Sequence, residues 1–172
     1  MDDWPNIDAA SWFAQEVLPA IVAERPSARF YIVGMHPSPV VAALARSGHV
    51  VVTGHVADVR PYLKHAGVVV APLRVTRGIQ NSVLEAMAMG RPVVASSAAV
   101  TGLSAVPAVD IEVADSADEF ASKVLDLMGT ESGRSIGMAA RLRVLADYHW
   151  MTNLAPFDEL LAAADVLRAG AQ

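Results

Sequence analysis

Arg74, Arg77, Gly78, Gln80, Asn81 and Glu85 stand close together in the stretch RVTRGIQNSVLEAMAMGRPVVAS, Arg74 to Ser96. Two guanidinium groups in one loop suit a diphosphate, because each can donate parallel N–H bonds to an anion. Gly78 lets the backbone approach a ligand closely. A helix opening near Gln80-Asn81 brings unpaired N–H groups and the positive end of its dipole, a ready anion site. One turn further on, Glu85 is the only acid among apolar and small residues. Val83, Leu84 and Met87 share one face of that helix, and Glu85 lies about 155° round from their centre. A carboxylate there can accept hydrogen bonds from a vicinal diol such as a ribose. The plainer reading is a solvated Glu on an outer face, where Glu usually sits. No Gly-Lys-Ser/Thr and no G-x-G-x-x-G occurs, so neither common phosphate loop is present.

These residues need a frame, and the chain alternates helices with short apolar runs. Ala9 to about Glu24 reads as a helix, kinked at Pro19. RFYIVG (Arg29–Gly34), VVVTG (Val50–Gly54), VVVAPL (Val68–Leu73) and PVVAS (Pro92–Ser96) read as strands, with a weaker one at Ile111–Ala114. Between them fall helices at Pro39–Ser47, stopped by Gly48, at Asp58–Gly67 with Asp58 as N-cap, and at Asn81–Met89. Ser116–Met128 is amphipathic and opens on a capping box, Ser116 with Glu119. Helices at Arg134–Tyr148 and Pro156–Arg168 close the chain, and the stretch Gly129–Gly133 is weak. Continuous Val/Ile runs mark strands covered on both faces, and intervening helices mark parallel βαβ units. The fold class is α/β, a doubly wound parallel sheet, in which ligands sit at the carboxyl ends of strands. Those ends are Gly34-Met35-His36, Gly54-His55-Val56, Leu73–Gln80 and Ser96–Gly102.

The composition narrows the function. The chain has 172 residues, 53% of them hydrophobic and 18% charged, which suits one domain with its own core. A net charge of −5 gives no footprint for nucleic acid. There is no cysteine, hence no disulfide or thiolate metal site. His36, His49, His55, His65 and His149 lack metal-ligand spacing. No apolar run reaches the roughly 18 residues of a membrane span, and the acidic start lacks a signal-peptide core. The expectation is a cytoplasmic domain.

The segment GIQNSVLEAMAMGRPVVAS resembles the signature of retaining glycosyltransferases of the two-Rossmann-domain type, the group 1 or family 4 class. The likeness extends through RFYIVG, VVVTGHVADVRPYLKHAGVVVAPL and the closing helices. Within that class, the Pro5–Pro19 segment is similar to bacterial sugar transferases of exopolysaccharide and exosortase systems. The resemblance implies a donor-nucleotide-binding domain spanning residues 1–172 and a nucleotide-diphospho sugar as substrate, with no metal and no redox cofactor. It places the donor ribose on Glu85, the diphosphate on the amides of Gln80, Asn81, Ser82 and Val83, and the base beside Gly54, His55 and Val56. The acceptor would be a glycan or a lipid-linked sugar.

Two departures from the family pattern stand out. Arg77 occupies the position of the first Glu of the Glu–seven residues–Glu motif, as a diphosphate contact or as a surface arginine. The family's acceptor-binding N-terminal domain and the first strand of the nucleotide domain do not correspond to any part of these residues. RFYIVG and VVVAPL are therefore expected to lose a shared neighbour. The gap would close by rearrangement or draw a second copy of the chain. Two other readings stay open, a nucleotide-sugar epimerase half and a non-catalytic α/β interaction module.

Overall fold

The computed structural model of the chain describes residues 3–76 and 78–148. The N-terminal helix starts at Trp4, before the expected Ala9, because Pro5 sits in its first turn, where no N–H partner is needed. α1 (Trp4–Trp12) passes through a π-helical turn, Phe13–Val17, into α2 (Leu18–Glu24). The expected kink at Pro19 takes this form. Proline offers no N–H to the carbonyl four residues back, and the ladder widens just ahead of it.

β1 (Phe30–Val33), α3 (Pro39–Ala43), β2 (Val50–Gly54), α4 (Arg60–His65), β3 (Val69–Ala71) and α5 (Asn81–Ala88) follow. The chain continues through β4 (Val93–Ala95), α6 (Ser97–Val100), β5 (Glu112–Val113), α7 (Ala117–Leu127) and α8 (Glu131–Asp147). The expected helix at Pro156–Arg168 lies outside the described residues. Asp58 does not cap α4, whose N-cap is Val59. Its carboxylate instead accepts from the Arg60 amide at 2.9 Å and pairs with the Arg60 side chain, a local turn that competes with capping. Ser116 and Glu119 do form the capping box. The stretch that reads as weak, Gly129–Gly133, is a cap: Thr130 Oγ1 accepts from the Gly133 amide at 3.1 Å and starts α8. α6 was not legible as an element, although Ser96 caps it.

The fold is α/β with parallel strands, as the runs imply. The described strands form two sheets, β1–β2 and β3–β4–β5, all pairs parallel. β1 and β3 share no ladder. A cleft of about 910 Å³ lies between them, lined by residues of both strands. The orders β2–β1 and β3–β4–β5 are the two wings of a doubly wound sheet around a central position that no described strand occupies.

Two cores hold the layers. Phe13, Val17 and Ile21 pack with Ile32, Val50, Val94, Phe120 and Val124. The Phe13 ring lies 4.6 Å from that of Phe30 and 6.3 Å, edge-on, from that of Phe120. Each such fully buried side chain contributes about 1.5–3 kcal/mol. In the second core Val83, Ala86 and Met87 of α5 meet Val93, Ala95, Ile111 and Ala140.

α8 docks on the carboxyl end of α5 backbone to backbone. A methyl added at Gly137 would stand 2.4 Å from the Gly90 carbonyl oxygen. Glycine to alanine in a helix ordinarily gains about 1 kcal/mol. Here the obstacle is main chain, so steric cost wins. Gly137→Ala is expected to lower stability by about 1–3 kcal/mol in a denaturant titration. A gain in stability would show that α8 is not clamped in this way.

Candidate functional site

The loop between β3 and α5 is pinned from below. The Ser96 hydroxyl donates to the Leu73 carbonyl and accepts from the Ala99 amide at 3.1 Å. The Thr76 hydroxyl donates to the Ala98 carbonyl at 3.0 Å. Gly78 takes φ +70°, a left-handed turn that a side chain would strain. Gln80 is the N-cap residue of α5, in extended conformation, and no side chain caps the helix. Its carbonyl accepts from Val83 and Leu84, and its own side chain turns back to the Gly78 carbonyl at 3.3 Å. The amides of Asn81 and Ser82 open the helix on exposed residues. Such an end attracts anions.

Val83, Ala86 and Met87 face inward and are 1% exposed or less, while Leu84 is half-buried. Glu85 is exposed on the opposite side. No hydrogen bond or ion pair engages its carboxylate among the described residues, and it borders the cleft between β1 and β3 together with Ser82. Its exposure agrees with both sequence readings, a ribose contact and a solvated surface acid.

Arg74 is already engaged. Its Nε donates to Asp8 Oδ2 at 2.8 Å and its Nη2 to Asp8 Oδ1. This bidentate hydrogen bonding raises the Arg74 pKa above its ordinary value. Asp8, on α1, lies 66 residues away in sequence, and nothing in the local pattern announced it. The pair uses one edge of the guanidinium and leaves Nη1 for another acceptor. Arg77 lies outside the described residues. Gly54, His55 and Val56 lie at the carboxyl end of β2, with Gly54 at φ +68°, His55 exposed and Val56 half-buried. They do not line the cleft that Ser82 and Glu85 border. No cluster of three or more His, Cys, Asp or Glu that could hold a metal occurs among the described residues. No helix among them is long and apolar enough to cross a membrane.

With the loop, the open helix start and the flanking carboxylate in place, comparison with known proteins places the chain. Residues 1–130 match the family described as Glycosyl transferases group 1, and the chain belongs to that family. It is a glycosyltransferase domain. Among curated proteins nothing matches it. Solved structures share its fold. One is a mutant of S. aureus TarM in complex with fondaparinux, alpha-GlcNAc-glycerol and UDP, at TM-score 0.78 and 20% identity. Another is Anabaena HepE in complex with UDP, at 0.72 and 19%. A third is the C-terminal domain of the group 1 glycosyl transferase LpcC from Francisella tularensis, at 0.67 and 16%. They cover 93%, 88% and 84% of this chain, which in turn spans 33%, 46% and 79% of theirs.

The site's floor carries a pH dependence. Asp115 accepts from the Ser97 hydroxyl and, at 2.9 Å, from the Ser97 amide, tying α6 to the start of α7. Those bonds hold its pKa below the ordinary 3.8. Glu119 accepts from the amides of Asp115 and Ser116, and its pKa falls below the ordinary 4.5. Both folded values are depressed, so both groups contribute stability that is present above the unfolded pKa and lost as pH falls through the folded one. The melting temperature is expected to drop as pH falls below about 4.5, less steeply in Asp115→Asn. Identical profiles for the two proteins would contradict this.

Proposed function

We propose that the chain is the donor-binding half of a retaining glycosyltransferase, which moves a sugar from a nucleotide-diphospho sugar to a glycan or lipid-linked acceptor in the cytoplasm. The observation that carries this reading is the start of α5. An uncapped helix end follows a left-handed Gly78, with Arg74 in the same loop and an unpaired Glu85 one turn on. In a group 1 glycosyltransferase domain, a nucleoside diphosphate suits this arrangement. Its phosphates would meet the Asn81 and Ser82 amides and the open Nη1 of Arg74. Its ribose hydroxyls would donate to Glu85. Gly54, His55 and Val56 would border the base.

The chemistry asked of such a site is modest. The bond from the anomeric carbon to the diphosphate breaks as positive charge grows on the sugar, and the leaving diphosphate takes up the electrons. Preorganised N–H donors and a cation stabilise that developing charge without reorganising. The acceptor and its binding surface would come from residues outside those described. UDP accompanies both TarM and HepE, which makes it the first nucleotide to try. Transfer with retention and a role in exopolysaccharide assembly rest on the sequence resemblance.

Glu85→Gln tests the reading, because it removes the charge and keeps the shape. A charge-assisted hydrogen bond is worth about 1.5–3 kcal/mol, so UDP affinity by calorimetry should fall about tenfold or more. The melting temperature of the free protein should hardly move, since exposed changes usually stay within about 0.5 kcal/mol. Equal affinities for the two proteins would return Glu85 to the solvated surface.

A further inference from the structure

We propose that Arg143 and Tyr148, at the carboxyl end of α8, are positioning residues for the β3–α5 loop. They act through residues 103–110, part of the connection from α6 to β5. The inference rests on the donor reading of that loop. Two bonds join residues 103–110 to α8. Arg143 Nε donates to Asp110 Oδ2 at 2.9 Å, and the Ser104 amide donates to the Tyr148 hydroxyl at 2.8 Å. Asp110 is 1% exposed, and removing one member of a buried ion pair is strongly destabilising. Its other oxygen accepts from the Val106 amide at 2.7 Å. Arg143 also donates to Asp147, one turn on, at 3.4 Å, which orients its guanidinium along the helix.

Between these anchors the segment is folded on itself. The Val106 carbonyl accepts from the Val109 and Asp110 amides, both at 3.1 Å, and the Ala108 amide donates to the Ile111 carbonyl at 2.8 Å. Ala108 takes φ +62° without being glycine, a conformation that persists only where surrounding contacts enforce it. The segment therefore moves as one body, and the Leu103 amide ties it back to the Val100 carbonyl at 3.0 Å. Just before it stands Gly102, at φ +83° and against Ile79. A methyl added to Gly102 would lie 3.7 Å from Ile79 Cγ1. Ile79 joins Gly78 to Gln80, the N-cap residue of α5. It is 49% exposed, and a side chain so exposed moves readily once a wall recedes. The start of the β3–α5 loop is held separately, by Thr76 on Ala98. The clamp from α8 thus bears on the second half of the loop, where the amides assigned to the diphosphate begin.

NMR on the full chain, free and with UDP, tests the clamp. The nuclear Overhauser contact between Gly102 Hα and the Ile79 side chain reports the coupling without any ligand. Arg143→Gln removes the charge facing Asp110. Tyr148→Phe is milder, since it deletes one acceptor and keeps the ring, and it decides alone where Arg143→Gln does not fold. Leu145→Ala, at an exposed position of the same helix end, is the control. Arg143→Gln and Tyr148→Phe should each weaken the Gly102–Ile79 contact and lower UDP affinity about threefold, the lower end of one net hydrogen bond. Leu145→Ala should change neither. A role confined to stability would lower the melting temperature and leave both readouts unmoved, which would overturn the proposal. So would equal effects from Leu145→Ala, or weaker UDP binding with the Gly102–Ile79 contact intact. Failure of the unsubstituted chain to bind UDP would remove the donor reading, while the Gly102–Ile79 contact would still decide the clamp.

Discussion

The position of α5 decides everything at the site, and close backbone contact sets that position. Gly137 of α8 lies against the Gly90 carbonyl with no room for a side chain. Arg141 donates to the Ala88 carbonyl at 2.9 Å, finishing the same helix end. From the other side Val83, Ala86 and Met87 seal against β3 and β4. A helix fixed at its carboxyl end and along its inner face has one place for its first turn. Its open amides can then be left to solvent or ligand without loss of order. The loop before it gains the same rigidity from Thr76 and Ser96, which bond the backbone of neighbouring segments.

Much of this was readable from the residues, for reasons that can be named. The strands announced themselves because burial on both faces demands unbroken Val runs, and VVVTG became β2 residue for residue. The capping box at Ser116 is a local code and was found where it was read. The α5 start was legible because glycine, polar residues and an apolar run follow in order. What escaped is non-local or competing. The Arg74–Asp8 pair joins α1 to the β3–α5 loop across the fold. α6 is a single turn of small residues, too short for periodicity to show. Asp58 had the right type for a cap but turned to Arg60 instead. The buried Asp110, which accepts from Arg143 at 2.9 Å, sits in a segment with no pattern of its own.

The open centre of the sheet and the start of α5 meet at one edge. Ser82 and Glu85 border the cleft whose walls are β1 and β3. The expectation that RFYIVG and VVVAPL lack a common neighbour corresponds to the two separate sheets. Among the described residues the gap is not closed by rearrangement.

The central claim is that the β3–α5 junction receives a nucleoside diphosphate, with the end of β2 beside the base. Chemical-shift mapping of the chain with UDP addresses it most directly, because every backbone amide reports separately. Saturable shifts are expected at Gly78 and Gln80–Val83, with a second group at Gly54–Val56. Shifts confined to α7 and α8, or none at UDP concentrations of about 1 mM, the weak end of specific binding, would contradict it.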